Sequence, residues 1–177
     1  MTVRDLIDQG LMIPVVEEFY SVQGEGYHTG KPAYFIRTQG CDNGCEWCDT
    51  KMSWESNEDW YIKTDDIVAR AAAVPAKAVV VTGGEPLGHN LTYLTQQLKN
   101  RDVKTFLETS GAHELSGEWD WICLSPKKQS PPHSTVLAKA NELKVIIHSL
   151  TDFDWAENNA DKVDKQSNTY TWYSKAG

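Results

Sequence analysis

The chain has 177 residues, of which 40% are hydrophobic and 24% charged, and its formal net charge is −8 at pH 7. This composition is ordinary for a globular protein, and the length predicts one domain over residues 1–177. The negative charge argues against nucleic-acid binding, which needs clustered Lys and Arg, and Lys127–Lys128 is the only adjacent basic pair. We find no apolar stretch long enough for a membrane span or a signal peptide and therefore predict no membrane partner.

The predicted elements alternate between strands and helices. Short apolar runs predict strands at residues 33–37, 78–82, 103–108, 121–125 and 142–148. Helical spacing and acids in a first turn predict helices at residues 64–73, 91–100, 136–140 and 153–161, the first with Thr64 as its N-cap. The alternation predicts an α/β fold with a parallel sheet and right-handed crossovers.

The segments with reactive or polar side chains follow predicted strands. They include a cysteine loop after residues 33–37 and the run Thr82-Gly-Gly-Glu-Pro86 after residues 78–82. In parallel sheets, ligands bind at the carboxyl ends of the strands. These segments are therefore expected to form one active-site face.

The cysteine loop is the most informative segment of the chain. Cys41, Cys45 and Cys48 have C-x3-C-x2-C spacing, and thiolates are the soft ligands that iron–sulfur clusters need. Three thiolates can hold three irons of a cubane cluster and leave the fourth iron open to a small molecule. Asp42 and Glu46 add negative charge, which is expected to lower the potential of such a cluster.

The alternative interpretation of this loop is a zinc site in a non-catalytic interaction module. A structural zinc ion would need a fourth ligand. The fourth cysteine, Cys123, lies in the apolar run Trp121-Ile-Cys-Leu124, which is typical of a buried strand. The length of the chain and its 4 cysteines argue against a disulfide framework, and clustered free cysteines indicate a reducing cytoplasm.

The loop resembles the signature of the radical S-adenosylmethionine (SAM) superfamily. The resemblance implies a 4Fe–4S cluster whose open iron binds SAM, and a fold that is a partial (β/α)6-type barrel or a trimmed form of it. It also implies a cofactor role for Gly83, Gly84 and Glu85, since Thr82–Pro86 is similar to the GGEP motif, and an adenine contact for Trp47. Ser110 and Ser125 are expected to offer hydroxyls to the cofactor, although each alone is more typical of a turn residue.

A second group of residues points to the substrate. Gln23, Gly24, Glu25 and Gly26 form a glycine-bounded segment that can bring backbone and side chains to a flat polar heterocycle. Arg37 can pair with a substrate carboxylate, or else form a surface salt bridge.

Together, these segments resemble the 7-carboxy-7-deazaguanine synthase family, over roughly residues 14–148. The resemblance implies a pterin substrate, 6-carboxy-5,6,7,8-tetrahydropterin, which undergoes hydrogen abstraction, radical ring contraction and loss of ammonia while SAM is regenerated. It also implies Mg²⁺ with Thr50 as protein ligand, cofactor contacts from Asp49 and Lys127, and a substrate contact from Thr82. A flavodoxin-type or other reductant and a possible homodimer are implied as partners.

Other interpretations stay open at this point. One is a glycyl-radical-type activating enzyme or another small radical SAM enzyme, and another is a member that keeps the cluster but has lost its chemistry. The family's later Leu-Gln-Pro stretch and C-terminal Ser-Leu-Gln-Thr-His-Lys segment have no match here, so a shortened or absent C-terminal segment is expected. The scattered histidines show no metal-ligand spacing, and Trp54, Trp60, Trp155 and Trp172 are expected to serve packing.

Overall fold

The computed structural model describes residues 1–163 and the backbone of residues 169–174. It has one sheet, in the order β3-β1-β2-β4-β5-β6-β7-β8, flanked by helices. The strands are β1 (Met12–Val22), β2 (Pro32–Thr38), β3 (Tyr61–Lys63), β4 (Ala78–Gly83), β5 (Lys104–Thr109), β6 (Trp121–Leu124), β7 (Glu142–Ile147) and β8 (Thr169–Ser174). The helices are α1 (Val3–Asp8), α2 (Thr64–Ala73), α3 (Thr92–Lys99), α4 (Ser134–Leu137) and α5 (Thr151–Ala160).

The predicted parallel α/β architecture is confirmed. Each adjacent pair from β2 to β8 runs parallel, whereas β1 is antiparallel to both β2 and β3. The sheet does not close, since β3 and β8 are its two ends, and this matches an incomplete barrel. No helix among the described residues is long and apolar enough to cross a membrane.

The strand β1 was not predicted from the sequence. Pro14 and the adjacent acids Glu17 and Glu18 interrupt its apolar pattern, and a bulge between Val15 and Glu17 shifts its alternation. The N-cap prediction for Thr64 was wrong. Thr64 is the first residue of α2, and its hydroxyl donates to the Gly10 carbonyl oxygen at 2.7 Å instead of capping the helix.

One face of the sheet packs against the helices, and the other face lines a cavity. On the outer face, side chains such as Val79, Val81 and Leu107 pack against the helices and are buried. On the inner face, the alternate residues Val80 and Thr82 line a cavity of about 810 Å³. Side chains alternate between the two faces of a strand. The helices cover one face of the sheet, and the side chains on the other face therefore remain available to form a site.

Candidate active site

The three cysteines of the loop after β2 all line the inner cavity. Cys41, Cys45 and Cys48 are free thiols, with Cys45 buried and the other two half-buried. Burial raises the pKa of the Cys45 thiol, against the opposing charge of Lys127. The loop thus presents three soft ligands to one space, as a cubane cluster requires.

The arrangement of these sulfurs bears on the zinc interpretation. Among the described residues, no group of three or more His, Cys, Asp or Glu side chains converges as the ligands of a single metal ion do. Thiolates around one tetrahedral zinc ion lie only about 3.8 Å apart, given Zn–S bonds of about 2.3 Å. In a cubane, each thiolate binds a different iron, and the three cysteines of this chain line one cavity.

Gly83 and Gly84 allow the chain after β4 to pass very close to the chain before the cysteine loop. A Cβ on Gly84 would collide with the Gly40 carbonyl oxygen, and one on Gly83 with Thr38. The Gly84 amide donates to Thr38 O at 3.0 Å, and the Glu85 amide donates to Gly40 O at 2.7 Å. These two amides therefore donate to backbone carbonyl oxygens of the chain itself, a role that sequence reasoning missed.

The Glu85 carboxylate is buried and organises the end of β5. It accepts hydrogen bonds from the Thr109 and Ser110 hydroxyls, from the Ser110 amide at 2.8 Å and from the Leu87 amide at 3.1 Å. A carboxylate has about four lone-pair sites, and these donors fill them. Glu85 thus fixes Ser110, which also lines the cavity.

Lys127 and Ser125 lie on the segment after β6. The Lys127 ammonium donates to the Ser125 hydroxyl at 2.8 Å, and burial lowers the pKa of Lys127. Both residues line the cavity close to the cysteine loop. They place a cation and a hydroxyl where an anionic group of a ligand can be held.

The segment Gln23–Gly26 and the cysteine loop lie at opposite ends of the strands. It follows β1 and precedes β2, at the amino ends of the parallel strands, where Val22 pairs with Pro32. Its residues Gln23, Gly24 and Glu25 nevertheless line the same cavity. We call residues 23–26 the floor segment, because the cavity reaches from the cysteine loop to the amino ends of the parallel strands.

Aromatic stacking and one buried carboxylate hold the floor segment. The Tyr27 ring stacks on Trp121 at 4.6 Å, and the His28 ring stacks on Phe106 at 4.5 Å. The Tyr27 amide donates to the two Glu142 carboxylate oxygens at 3.2 and 3.3 Å. These contacts tie the loop to β5 and to the starts of β6 and β7.

Lys144 connects the floor to the cavity wall. Its ammonium lies 2.7 Å from Glu25 Oε1 and 2.7 Å from Glu108 Oε2. Burial alone would lower the pKa of Lys144, but the neighbouring anionic groups, including Glu108 and Glu25, together outweigh burial, so the pKa is raised and the amine stays charged. Sequence reasoning gave no site role to Lys144 or Glu108.

Arg37 lines the cavity and also forms an ion pair. Its Nε lies 2.6 Å from Glu17 Oε1, and its side chain is 19% exposed. Thr82, paired with Arg37 across β2 and β4, points to the same side and lines the same cavity. The salt bridge that the sequence offered as one alternative therefore occurs, while pairing of Arg37 with a substrate carboxylate stays a prediction.

Trp47, Asp49 and Thr50 follow within the cysteine loop. Trp47 lines the cavity, with its ring 4.6 Å from the His148 ring. Thr50 donates from its hydroxyl to Asp49 Oδ1 at 2.9 Å, and it precedes a 3-10 helix (Lys51–Trp54) without capping it through its side chain. Trp54, expected to serve packing alone, lines the cavity.

The cavity brings together nearly all the residues predicted from the sequence. Gly26 and Thr50 do not line it, and Gly26 instead lies against Glu142. The remaining predicted residues all line the cavity: Gln23, Gly24, Glu25, Arg37, Cys41, Cys45, Trp47, Cys48, Asp49, Thr82, Gly83, Gly84, Glu85, Ser110, Ser125 and Lys127.

Comparison with known proteins decides the family. A model of the radical SAM superfamily matches residues 35–154, more than half of the chain. The chain belongs to the radical SAM superfamily. Members of this superfamily carry a 4Fe–4S cluster and SAM, and the free cysteines facing one cavity fit that cluster.

Curated relatives within this radical SAM superfamily narrow the assignment. The chain is 52% identical over 161 residues to a 7-carboxy-7-deazaguanine synthase from Flavobacterium psychrophilum, covering 91% of this chain and 76% of that one. It is 47% identical over 150 residues to the synthase from Synechocystis, covering 85% of this chain and 72% of the relative. The chain therefore belongs to the 7-carboxy-7-deazaguanine synthase family, and these relatives are not activating enzymes or zinc modules.

A solved structure agrees with this family. The crystal structure of QueE from Escherichia coli matches with a TM-score of 0.83 and 31% identity, covering 97% of this chain and 86% of that chain. The expected shortening of the C-terminal segment stays a prediction. It concerns residues 168–177, and of these, residues 168 and 175–177 lie outside the described residues, as do the side chains of residues 169–174.

Proposed function

We propose that the protein is a 7-carboxy-7-deazaguanine synthase that acts on 6-carboxy-5,6,7,8-tetrahydropterin by radical ring contraction with loss of ammonia. Curated relatives of this name at 52% and 47% identity support the activity. The supporting structural observation is that the cysteine loop and the floor segment line one cavity. Such a cavity lets a reactive centre and a recognition surface meet on a single small substrate.

The floor segment offers groups that suit a pterin. Gln23 is buried, and its Nε2 has no hydrogen-bond partner in the described structure. A buried donor left unpaired costs about 1–3 kcal/mol, so a ligand acceptor at this place would be bound with specificity. Glu25, fixed by Lys144, would accept from the amino and ring N–H groups of the heterocycle.

Arg37, Thr82 and Gly24 complete the proposed substrate contacts. Because the ion pair with Glu17 uses Arg37 Nε, the terminal guanidinium nitrogens would meet the substrate carboxylate. The Thr82 hydroxyl is on the same wall. The space beside Gly24 is open, since a Cβ added there would have no neighbour within 4 Å. Without a side chain at this position, the substrate could approach the backbone closely. Gly26 would act indirectly, through the turn of the floor segment.

The cofactor would occupy the other end of the cavity. When bound, the cluster held by Cys41, Cys45 and Cys48 and its SAM supply the radical that removes a substrate hydrogen. The residues proposed to hold SAM all line the cavity: Trp47, Asp49, Gly83, Gly84, Glu85, Ser110, Ser125 and Lys127. Since donors within the chain already fill the Glu85 carboxylate, its charge would act on the SAM ammonium mainly through Ser110 and at longer range.

A magnesium ion, with Thr50 as its protein ligand, belongs to the proposal. The Thr50 hydroxyl and the Asp49 carboxylate lie side by side, with 2.9 Å between their oxygens, and hard cations prefer oxygen ligands. Mg²⁺ usually combines few protein ligands with water and substrate oxygens. These two oxygens fit such a site, and the substrate carboxylate would complete it.

The proposal also includes the cellular setting. We infer that an external one-electron reductant, of the flavodoxin type or another kind, supplies the electron, and that two copies of the chain form a homodimer. A reducing cytoplasm would suit the free cysteines. Pull-down of a reductant and light scattering on the reconstituted protein would test the two partners separately.

The decisive experiment is anaerobic. The protein is reconstituted with iron and sulfide, and SAM, Mg²⁺, reductant and 6-carboxytetrahydropterin are added. We expect 7-carboxy-7-deazaguanine, detected by mass. Cleavage of SAM to 5′-deoxyadenosine with no product would keep the superfamily chemistry and refute the substrate.

Two arginine variants sharpen this test. Arg37→Met is expected to abolish product formation at moderate substrate concentration while leaving the cluster intact. Arg70→Met is the matched control, because Arg70 also pairs with a β1 glutamate at 2.6 Å, namely Glu18, but does not line the cavity. Equal losses in both variants would mean that Arg37 acts only as a structural ion pair.

A further inference from the structure

Two side-chain amides stand beside the cluster cysteines. The Asn43 amide nitrogen lies 3.8 Å from Cys41 Sγ, and the Gln129 amide nitrogen lies 3.7 Å from Cys45 Sγ. These separations are within reach of a hydrogen bond to sulfur, whose larger radius lengthens the contact. Asn43 is inside the cysteine loop, whereas Gln129 is 84 residues away from Cys45 along the chain.

Other contacts fix the direction of both amides. Gln129 Nε2 donates to the Asn43 carbonyl oxygen at 2.8 Å, and Asn43 Nδ2 donates to the Ser110 hydroxyl at 3.0 Å. In each amide, the NH2 group rather than the carbonyl oxygen is therefore turned toward the sulfur. A short turn, in which the Ser130 amide donates to Lys127 O at 3.2 Å, carries Gln129 to this place.

We propose that Gln129, together with Asn43, sets the reduction potential of the cluster by donating N–H hydrogen bonds to its cysteine sulfurs. Reduction adds negative charge to a cluster and its thiolates, and donors aimed at the sulfurs stabilise the charged form. Both residues thus favour the reduced cluster and raise its potential. They are positioning residues, because they act through the cysteines and do not touch the substrate.

This role opposes the effect expected from the acids of the loop. Asp42 and Glu46 were predicted to lower the potential, but both are exposed, and Asp42 lies 3.1 Å from His113 Nε2. Exposed charges are screened by water and salt. Asn43 is buried, so its short-range donation counts for more than the charge of its neighbour.

The test is the midpoint potential of the reconstituted cluster, followed by EPR during an anaerobic redox titration without substrate. We expect Gln129→Leu to shift the midpoint to a more negative value, and Gln129→Glu to shift it further, because an ionised carboxylate adds charge and cannot donate. Gln129 is exposed, so both variants are expected to fold. Gln96→Leu is the matched control, since it removes the same amide from an exposed position on α3.

The outcomes separate donation from other effects. A midpoint potential in Gln129→Leu equal to that of wild type would overturn the proposal. This holds even if Gln129→Glu shifts the midpoint, because a shift in that variant alone would indicate an effect of charge and not of donation. Proton ENDOR of the reduced cluster in H2O and D2O adds a direct readout. We expect the exchangeable proton signal of Gln129 to disappear in Gln129→Leu while that of Asn43 stays, and an unchanged set of exchangeable signals would contradict donation by Gln129. The measurement needs the cluster but no pterin turnover, so its result is independent of the proposed activity.

Discussion

The indole Nε1 of Trp121, at the start of β6, donates a hydrogen bond of 3.1 Å to the carboxylate of Glu142, at the start of β7. The same buried carboxylate accepts from the Tyr27 amide, directly after the floor segment. A loop from the antiparallel part of the sheet is thereby attached to two parallel strands. The segment after the floor is therefore fixed to the parallel part of the sheet.

Substitution of the floor glycines should separate two neighbouring positions. Gly26 has φ of 76°, and an added Cβ would lie 2.7 Å from Glu142 Oε1, so Gly26→Ala is expected to destabilise the fold by about 1–2 kcal/mol. Gly24→Ala is the control, because no atom lies within 4 Å of a Cβ there. Thermal unfolding of both variants is the measurement, and similar melting temperatures would argue against a fixed floor.

Removal of the Lys144 cation should leave two carboxylates facing one another. The Lys144 side chain is 16% exposed and pairs with Glu25 and Glu108, so Lys144→Met is expected to cost about 2 kcal/mol, somewhat less than a fully buried pair. It should also raise the KM for the pterin, since Glu25 loses its partner. Urea unfolding and steady-state kinetics measure the two effects. Lys99→Met, which breaks an exposed pair with Glu118, serves as control, and a KM equal to that of wild type in Lys144→Met would contradict the role.

The cysteines should divide into two classes. Ala at Cys41, Cys45 or Cys48 is expected to abolish stable 4Fe–4S loading, because each supplies one iron ligand. Cys123→Ala should load normally, since Cys123 is buried in β6 and burial raises the pKa of its thiol. Iron and sulfide analysis, together with visible spectra, measures the cluster content of each variant. Loss of the cluster in Cys123→Ala alone would reverse the assignment.

His89 should make the protein sensitive to acid. Burial lowers the pKa of His89, whose Nε2 lies 2.7 Å from the Gln39 carbonyl oxygen, so the folded state prefers the neutral ring. The stability from this preference is present above the unfolded pKa of about 6.5 and is lost as pH falls below it toward the folded pKa.

The apparent melting temperature of the cluster-loaded protein, measured from pH 8 to pH 5, tests this expectation. The wild-type protein should lose more stability on acidification than His89→Gln, and effects of acid on the cluster cancel in the comparison. His133→Gln, at an exposed position, controls for the loss of a histidine as such. Parallel curves for wild type and His89→Gln would rule out His89 as the source.

The sequence by itself determined the chemistry of the site. The cluster ligands lie within one short loop, and Thr82–Pro86 and Gln23–Gly26 are equally compact, so each could be recognised from neighbouring residues alone. The strands before the cysteine loop and before Thr82–Pro86 were also predictable, because buried parallel strands have continuous apolar runs. Strand β1 escaped prediction because Pro14 and its bulge break the alternation on which such reasoning depends.

Only the tertiary structure decided how the motifs meet. Lys144 and Glu25 are 119 residues apart in the chain, yet they form one ion pair inside the cavity. Gln129 reaches Cys45 from the turn after β6, with nothing in its local sequence to mark it. Such contacts depend on strand order, which brings distant side chains to one face of the sheet. Local propensity and spacing do not encode these long-range relationships, and so the floor, the ion pair and the amide donors emerged only from the fold.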